Sequence, residues 1–440
     1  MAEIAPLTPL RYAPEILEKV IAPPYDVIDA ELRKRLGERH PNNVVHVDLP
    51  EGDGDARYAH ARALFEGWQR SGVLVRDEVP SYFRYAQTFE PPGGGARVTR
   101  RGFFALVRAV PYEARQVLPH ERTLTGPKQD RIALSRATRA MLSPQFMLYS
   151  DPERRLDADL DSGASFAEFR SDDGIEHRLS RISDPATIER ITQTLARGTL
   201  LIADGHHRYE TAVSLARELD AEARAAGLAP SARAEHLFTF ALLANGDDPT
   251  LVVFATHRLV HSLSSFDFET LMARAKELFE VEPLGGGLDA AQKALAAATR
   301  PSICAVARGG RSALLSLRGS ADLGRHPVLG QRPAVIRETA VALLHDGILE
   351  HLLGITKEAQ AAKTNLRYVQ DPRAGVTELE SGAAQALFLM NPTPVSTVRR
   401  VAEAGEVMPQ KSTFFYPKVP SGLFFHTLLP ERIVGIFPSK

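Results

Sequence analysis

Five consecutive residues near the middle of the chain carry most of its candidate chemistry: Asp204, Gly205, His206, His207 and Arg208. Arginine offers a planar fork of donors that matches phosphate oxygens, and histidine adds donors or a proton-transfer group. An aspartate can hold Mg²⁺ or accept a proton from a hydroxyl. The sequence therefore predicts a phosphate-handling site. Asp204 and His206 are its catalytic candidates, Asp204 is its metal ligand, and Gly205, His206, His207 and Arg208 bind phosphate.

The elements around this turn favour the same chemistry. An apolar strand is predicted at residues 199–203, and an amphipathic helix at about 208–226. The first N–H groups of a helix lack internal partners and, with the helix dipole, form a ready anion site. Glycine at the turn allows a positive φ and close approach of a ligand. The alternative is that Asp204 only caps the helix and the histidines lie at the surface. A permanent zinc site is disfavoured, because adjacent histidines usually diverge.

A loop and the helix start that follows it supply Glu121, Lys128 and Arg131. Phosphoryl transfer depends on positioning and charge neutralisation. Lys128 and Arg131 are therefore candidates to clamp phosphates, and Glu121 is a candidate to accept a proton. The alternative is a solvated, salt-bridged helix start.

The rigid Pro23-Pro24 turn presents Tyr25 and Asp26 in a fixed direction. We interpret these two residues as a wall of the substrate pocket. The alternative is a turn that links two helices, with Asp26 as a cap.

Two more segments could add cations to an anion site. His257 and Arg258 follow a predicted strand at 251–254, and strand ends commonly carry ligand groups in α/β folds; an ordinary surface pair is the alternative. Lys411 and Ser412 lie in the polar segment 408–418, where no glycine-rich loop precedes them, so the Walker pattern is absent. We expect Lys411 to reach the ligand while the aromatic residues after it pack.

The composition restricts the partners. The 440 residues carry a net charge of -1, with no basic excess of the kind that binds nucleic acid. Cys304 is the single cysteine, which excludes an internal disulfide and fits a reducing compartment. The N-terminus lacks a signal-peptide pattern, and no apolar run approaches the roughly 18 residues of a membrane span. We expect a cytoplasmic protein with a small-molecule substrate and a nucleotide as partners, and we leave a homodimer open.

Strands and helices alternate irregularly, which favours an α+β (mixed α/β) fold. The length and a composition change near residue 262 predict two domains, a phosphate-binding domain over 1–260 and an α/β domain over 261–440 that completes the site. The polar stretch 150–175 is interpreted as an exposed connection, and 335–353 as one helix.

Residues 201–212, Leu-Ile-Ala-Asp-Gly-His-His-Arg-Tyr-Glu-Thr-Ala, resemble the signature of a bacterial and archaeal family of unknown function. Three further segments, 22–28, 120–131 and 408–418, match the same family pattern. Together they span nearly the whole chain.

The turn is also similar to that of the free serine kinases of the ParB/sulfiredoxin-like superfamily, and Gly205…Arg208-Tyr209 resembles the nucleotide box of ParB. This resemblance implies a ParB/sulfiredoxin-like nucleotide-binding core, with Asp204 beside the transferred group and Glu121 as the candidate for the kinases' catalytic glutamate. The predicted function is a kinase for a small hydroxyl metabolite such as free L-serine, using Mg²⁺ with ATP or ADP. The alternatives are a non-catalytic nucleotide sensor or scaffold of ParB type, and a phosphohydrolase.

Overall fold

The computed structural model describes residues 1–92, 94–121, 123 and 125–435, without the side chains of residues 125 and 127. It divides into two compact units. The first unit comprises the described parts of 1–119, 123–252 and 417–440, and the second those of 120–122 and 253–416. The predicted domains, 1–260 and 261–440, change near the same point of the chain, whereas the contacts place the C-terminal segment from residue 417 with the first unit.

A nine-stranded mixed sheet forms the centre of the first unit. Two neighbouring pairs are parallel, and the rest are antiparallel. In spatial order the strands are Val117–Leu118, Leu200–Asp204, Gln145–Tyr149, Phe238–Asn245, Val98–Arg108, Tyr82–Phe89, Glu176–Ile182 and Ala164–Arg170, with Ile4–Ala5 added beside Val98–Arg108. Two smaller sheets pair Leu10–Arg11 with Val75–Arg76, and Ala140–Met141 with His426–Thr427.

Two helices of the first unit begin at aspartates that cap them. Asp29 accepts the N–H of Leu32, and Asp184 accepts that of Thr187. Both therefore act as N-caps, a position that aspartate favours. The α-helices are Leu17–Val20, Ala30–Arg39, Val45–Asp48, Ala56–Arg70, Thr125–Thr138, Asp157–Leu160, Pro185–Leu195 and His206–Ala225, and the 3₁₀ turns are Pro14–Ile16, Tyr25–Val27, Tyr112–Ala114 and Glu235–Leu237. One face of the large sheet packs on Pro185–Leu195 and His206–Ala225 to form a buried apolar core.

The second unit contains a six-stranded antiparallel sheet. Its order is Phe279–Leu284, Ser312–Leu317, Ser302–Val306, Ala386–Met390, His257–Val260 and Leu366–Val369, and a separate pair joins Val252–Phe254 to Phe414–Tyr416. The helices are Phe268–Ala275, Gly287–Ala297, Ala334–Arg337, Ala340–Ala342, a π-helix Leu343–Leu352, Lys357–Ala362, Pro372–Ser381 and Val395–Glu403, with 3₁₀ turns at Arg308–Gly310 and Leu329–Gln331.

The predicted mixed α/β class is confirmed, and its ParB/sulfiredoxin-like assignment stays a prediction. Two local predictions are wrong. The stretch 150–175 contains the helix Asp157–Leu160 and the strand Ala164–Arg170, whose side chains are mostly exposed because it lies at the sheet edge and buries little apolar surface. The single helix predicted at 335–353 is two short α-helices followed by the π-helix. No helix among the described residues combines the length and apolar character needed to cross a membrane.

Candidate anion-binding site

The turn at 204–208 joins a strand to the longest helix in the described part of the first unit. Leu200–Asp204 is the strand, and the 20-residue helix His206–Ala225 follows at once. Gly205 is the N-cap residue, with φ 94°, so the chain turns through the left-handed region where glycine is unstrained. Gly205 has no side chain, so the N-cap residue itself supplies no side-chain cap. The alternative in which the neighbouring Asp204 caps the helix stays a prediction.

Asp204 is paired with two cations. Arg208 Nη2 donates to one carboxylate oxygen of Asp204, and Lys418 Nζ donates to the other at 2.5 Å. Arg208 also donates through Nη1 to the carbonyl oxygen of Pro144. The three charged side chains keep less than a fifth of their surface exposed, which strengthens their interactions relative to a surface pair. Two positive side chains and a helix N-terminus thus face one carboxylate.

The two histidines differ in burial. His206 is buried, whereas His207 is half-buried, as expected for neighbours on a helix that point about 100° apart. Gly205 lies against the Arg208 side chain, since a Cβ at this position would be 3.0 Å from Arg208 Nε. Glycine at 205 therefore lets the guanidinium fold back over the turn.

Lys128, Arg131 and Tyr25 also belong to the first unit. Lys128 Nζ donates to Glu210 of the turn helix at 2.9 Å, and Arg131 is ion-paired with Asp48 and Asp130. Both predicted phosphate clamps are thus salt-bridged, as the alternative interpretation expects, but Arg131 is buried and not solvated. Their phosphate role stays a prediction.

Tyr25 lies under the Arg131 guanidinium, 4.1 Å from ring centroid to Cζ. Burial raises the pKa of Tyr25 to about 12, although Arg208 and Arg131 act in the opposite direction. Asp26, next to it, is exposed in a 3₁₀ turn, and the following helix is capped by Asp29. Tyr25 therefore stays a protonated donor near the cations, and its role as a pocket wall remains a prediction.

The remaining predicted residues lie in the second unit. Glu121 Oε1 accepts the backbone N–H groups of Ser412 at 2.9 Å and Thr413 at 3.4 Å. Arg258 donates through Nε to His345 and through Nη2 to the carbonyl oxygen of Lys411 at 3.1 Å. The structure thus brings Glu121, Arg258, Lys411 and Ser412 together as one group, in which the charged side chains hold the backbone around residue 411.

His257 belongs to the same unit. Its Nδ1 accepts the N–H of Met390 at 3.2 Å, and burial lowers its pKa to about 4. A neutral, hydrogen-bonded histidine in the sheet is a structural feature, and its phosphate role stays a prediction.

A possible metal group among the described residues lies elsewhere in the second unit, at Glu277, His326 and His351. Their ligand atoms lie within 4.8 Å of one another. His326 Nδ1, however, accepts the backbone N–H of Leu329 at 3.1 Å, so the proton of the neutral ring resides on Nε2. A metal needs a lone pair on that nitrogen, and we assign no metal to this group.

The family match decides the relationship of the chain. Residues 4–338 match the family model described as "Protein of unknown function (DUF1015)". The chain belongs to this family. The matched range includes the turn and the segments 22–28 and 120–131, whereas 408–418 lies outside it. No curated protein matches the chain at a significant level.

Several solved structures resemble this DUF1015 member at low identity. A conserved hypothetical protein from Pyrococcus furiosus is 14% identical, with a TM-score of 0.35 over 73% of this chain and 94% of that one. A free serine kinase variant in complex with ADP is 12% identical, with a TM-score of 0.35 over 73% and 92%. A C-terminally truncated SbnI from Staphylococcus aureus is 10% identical, with a TM-score of 0.36 over 75% and 89%. These scores are too low for a function to follow from them.

Sequence reasoning missed two cations of the first unit, Lys418 and Arg100. Lys418 is the last residue of the polar segment 408–418, which the sequence predicts to be ligand-binding. The lysine expected to reach the ligand, Lys411, lies in the second unit, whereas Lys418 lies in the first. Arg100 lies inside the strand Val98–Arg108, where an arginine within an aromatic and β-branched run gives no chemical signal. Its burial, at 2% exposed, emerges only from the folded sheet.

Proposed function

We propose that this DUF1015 member is a nucleotide-dependent phosphotransferase that phosphorylates the hydroxyl group of a small metabolite at the 204–208 turn. The observation that carries this proposal is the charge arrangement at Asp204, where Arg208 and Lys418 both bind one carboxylate at the start of a 20-residue helix. Local positive charge in excess of the carboxylate attracts phosphate, and the dipole of the helix adds positive charge at its N-terminus.

The residues then have separate roles. Lys418 Nζ moves from Asp204 to a phosphate oxygen when the nucleotide binds, while the N–H groups after Gly205 hold a neighbouring phosphate. The released carboxylate oxygen of Asp204 accepts the proton of the attacking hydroxyl. The hydroxyl oxygen forms a bond to the terminal phosphorus, the bond from that phosphorus to the bridging oxygen breaks, and the shortened nucleotide leaves. Mg²⁺ bound to the nucleotide supplies further charge neutralisation.

Phosphorus NMR tests the proposal. The full chain is incubated with ATP or ADP, Mg²⁺ and a panel of hydroxyl metabolites that includes L-serine. We expect one new phosphomonoester signal with at least one acceptor, and its loss in Asp204→Asn, which removes the proton acceptor while keeping the side chain's shape. Glu218→Gln, a change at a half-buried glutamate of the same helix that is paired with Arg136, is the matched control and should keep the activity.

The outcomes separate the alternatives. Absence of a phosphomonoester across the panel would overturn the transferase. Release of inorganic phosphate without an acceptor would replace it by a phosphohydrolase. Saturable nucleotide binding with no product would replace it by a nucleotide sensor. The observation that favours a sensor is that both oxygens of Asp204 already accept hydrogen bonds from cations.

A further inference from the structure

A buried arginine in the first unit has an unused donor. Arg100 is 2% exposed, its guanidinium packs over the Phe146 ring at 4.6 Å, and its Nη2 donates to Gln87 Oε1. Its Nη1 is buried and has no hydrogen-bond partner among the described residues. Arg100 also forms no ion pair within the described part of the chain. Buried guanidinium groups are otherwise almost always paired or fully hydrogen-bonded, because an unpaired charge away from water is costly.

The charge of Arg100 acts on the same carboxylate as the turn. Burial lowers the pKa of Arg100 to about 10, and Tyr85 and Asp204 act against this lowering. Arg100 is therefore charged at neutral pH. The two oxygens of Asp204, however, already accept from Arg208 and Lys418. Among the described residues, three cations thus interact electrostatically with this carboxylate, and their positive charge exceeds its single negative charge by two.

A hydrogen-bonded bridge connects Arg100 to Lys418. Gln87 lies directly opposite Arg100 in the sheet, and its Nε2 donates to the carbonyl oxygen of Lys418 at 3.2 Å. The amide of Gln87 therefore fixes the guanidinium of Arg100 and the backbone of Lys418 with one side chain. This arrangement connects the guanidinium of Arg100 to the backbone of a second cationic residue, Lys418.

We propose that Arg100 is a further anion-binding residue of the turn site, whose Nη1 donates to an oxygen of the ligand, and that the site selects groups with at least two negative charges. The ligand class is thus a phosphate ester or polyphosphate rather than a carboxylate, because a monoanion would leave one positive charge unmatched. This inference rests on the proposed location of the phosphates, but it does not require that phosphoryl transfer occurs.

Calorimetric titration of the full chain with pyrophosphate, inorganic phosphate and acetate tests the selection. We expect saturable binding of pyrophosphate, weaker binding of phosphate and none of acetate. Loss of a charged hydrogen bond costs a factor of roughly 10 to 100 in affinity, so Arg100→Gln should weaken pyrophosphate binding at least about tenfold. Arg100→Lys keeps the charge but not the planar fork of donors, and its affinity for pyrophosphate should lie between those of the wild type and Arg100→Gln. Arg101→Gln is the matched control, since Arg101 is exposed and points to the opposite face of the same strand.

Thermal unfolding with and without pyrophosphate separates ligand binding from a structural role. If Arg100 binds the anion, the increase in Tm on adding pyrophosphate shrinks in Arg100→Gln while the ligand-free Tm changes little. A lower ligand-free Tm with an unchanged pyrophosphate shift would overturn the inference, as would equal losses in Arg100→Gln and Arg101→Gln, or wild-type protein that binds no pyrophosphate. Failure of phosphoryl transfer in the NMR assay leaves these binding results unaffected, so the two proposals fail separately.

Discussion

Two buried arginines, one in each unit, show how similar burial leads to different outcomes. Arg100 and Arg258 are each almost fully buried, and burial lowers the pKa of each to about 10. All three nitrogens of Arg258 donate, to His345, to the carbonyl oxygen of Thr256, and to those of Gln410 and Lys411. Arg100 leaves Nη1 without a partner. The difference teaches that burial alone does not identify a ligand-binding cation, whereas an incomplete set of partners points to one.

The largest expected effect comes from removing the carboxylate between the cations. Asp204→Ala should lower the free energy of unfolding by about 4 kcal/mol, because breaking a buried ion pair leaves uncompensated charge, here on Arg208 and Lys418. Urea unfolding measures the loss, and pyrophosphate should restore more stability in the variant than in the wild type.

The matched control in the second unit is Glu121→Gln. Its amide oxygen can still accept the N–H of Ser412, so the expected loss is below about 1 kcal/mol. Equal losses of stability in Asp204→Ala and Glu121→Gln would show that the two carboxylates contribute alike to folding. That result would contradict the difference drawn between the two units.

Replacing each buried arginine by methionine sharpens the contrast. Arg258→Met should cost about 3 kcal/mol, because His345 Nε2 and the carbonyl oxygen of Lys411 lose their donor in a buried place. Arg100→Met removes a guanidinium that forms a single hydrogen bond within the described part of the chain, to Gln87, and leaves Nη1 unused, so it should cost about 1 kcal/mol in the absence of anions. Urea unfolding in phosphate-free buffer measures both losses of stability. A larger loss in Arg100→Met than in Arg258→Met would remove the basis for an anion at Arg100.

The turn of the first unit and the group around Lys411 in the second unit also show what the sequence could predict. The turn was predictable, because strand, glycine and helix are adjacent in the chain and the residue types are local. The positions of Arg100 and Lys418 were not, since Gln87 connects Arg100 to Lys418, and Lys418 reaches Asp204, only through the pairing of distant strands and the return of the C-terminal segment. Likewise, Lys411 and Lys418 are seven residues apart, but the unit boundary falls between them. Spacing in the sequence does not reveal such a boundary.

The strand predicted at 199–203 and the helix predicted at about 208–226 correspond to Leu200–Asp204 and His206–Ala225, where a short apolar run and an amphipathic pattern are clear in the sequence. Such predictions failed where burial is weak or the pattern ambiguous. The edge strand Ala164–Arg170 has no apolar alternation to detect, and the run through Leu343–Leu352 is buried around most of its surface although half of its residues are polar or glycine. A π-helix there changes the hydrogen-bond register without changing the composition.

Acidification should protonate buried histidines of the second unit. It should thereby create there an excess of positive charge, such as the first unit carries at neutral pH. Burial lowers the pKa of His257 to about 4 and that of His345 to about 3, with Arg258 adding to both effects. Because the folded pKa lies below the unfolded value of about 6.5, each neutral histidine stabilises the protein above that pH, and the stability is lost as the pH falls toward the folded pKa. The expected loss by pH 5 is about 2 kcal/mol for each histidine.

Urea unfolding at pH 7 and pH 5, followed by far-ultraviolet circular dichroism, measures this loss. His257→Gln cannot titrate, so its decrease in stability between the two pH values should be about 2 kcal/mol smaller than that of the wild type. The control is His60→Gln, at an exposed position of the helix Ala56–Arg70, which should leave the decrease unchanged. An unaltered decrease in His257→Gln would show that this histidine does not sense acid.

The smallest expected effect separates backbone strain from crowding of the site. Gly205→Ala and Gly382→Ala both place a side chain at positive φ, 94° and 81°, and each should cost about 1 kcal/mol. The new Cβ at 205 meets Arg208 Nε at 3.0 Å, whereas that at 382 meets nothing closer than Arg308 Nη1 at 3.9 Å. Gly205→Ala should therefore also weaken pyrophosphate binding by displacing Arg208, and Gly382→Ala should leave it unchanged in the same calorimetric titration. If both variants bind like the wild type, close approach at Gly205 does not matter for the anion, and the helix N-terminus loses its place in the site.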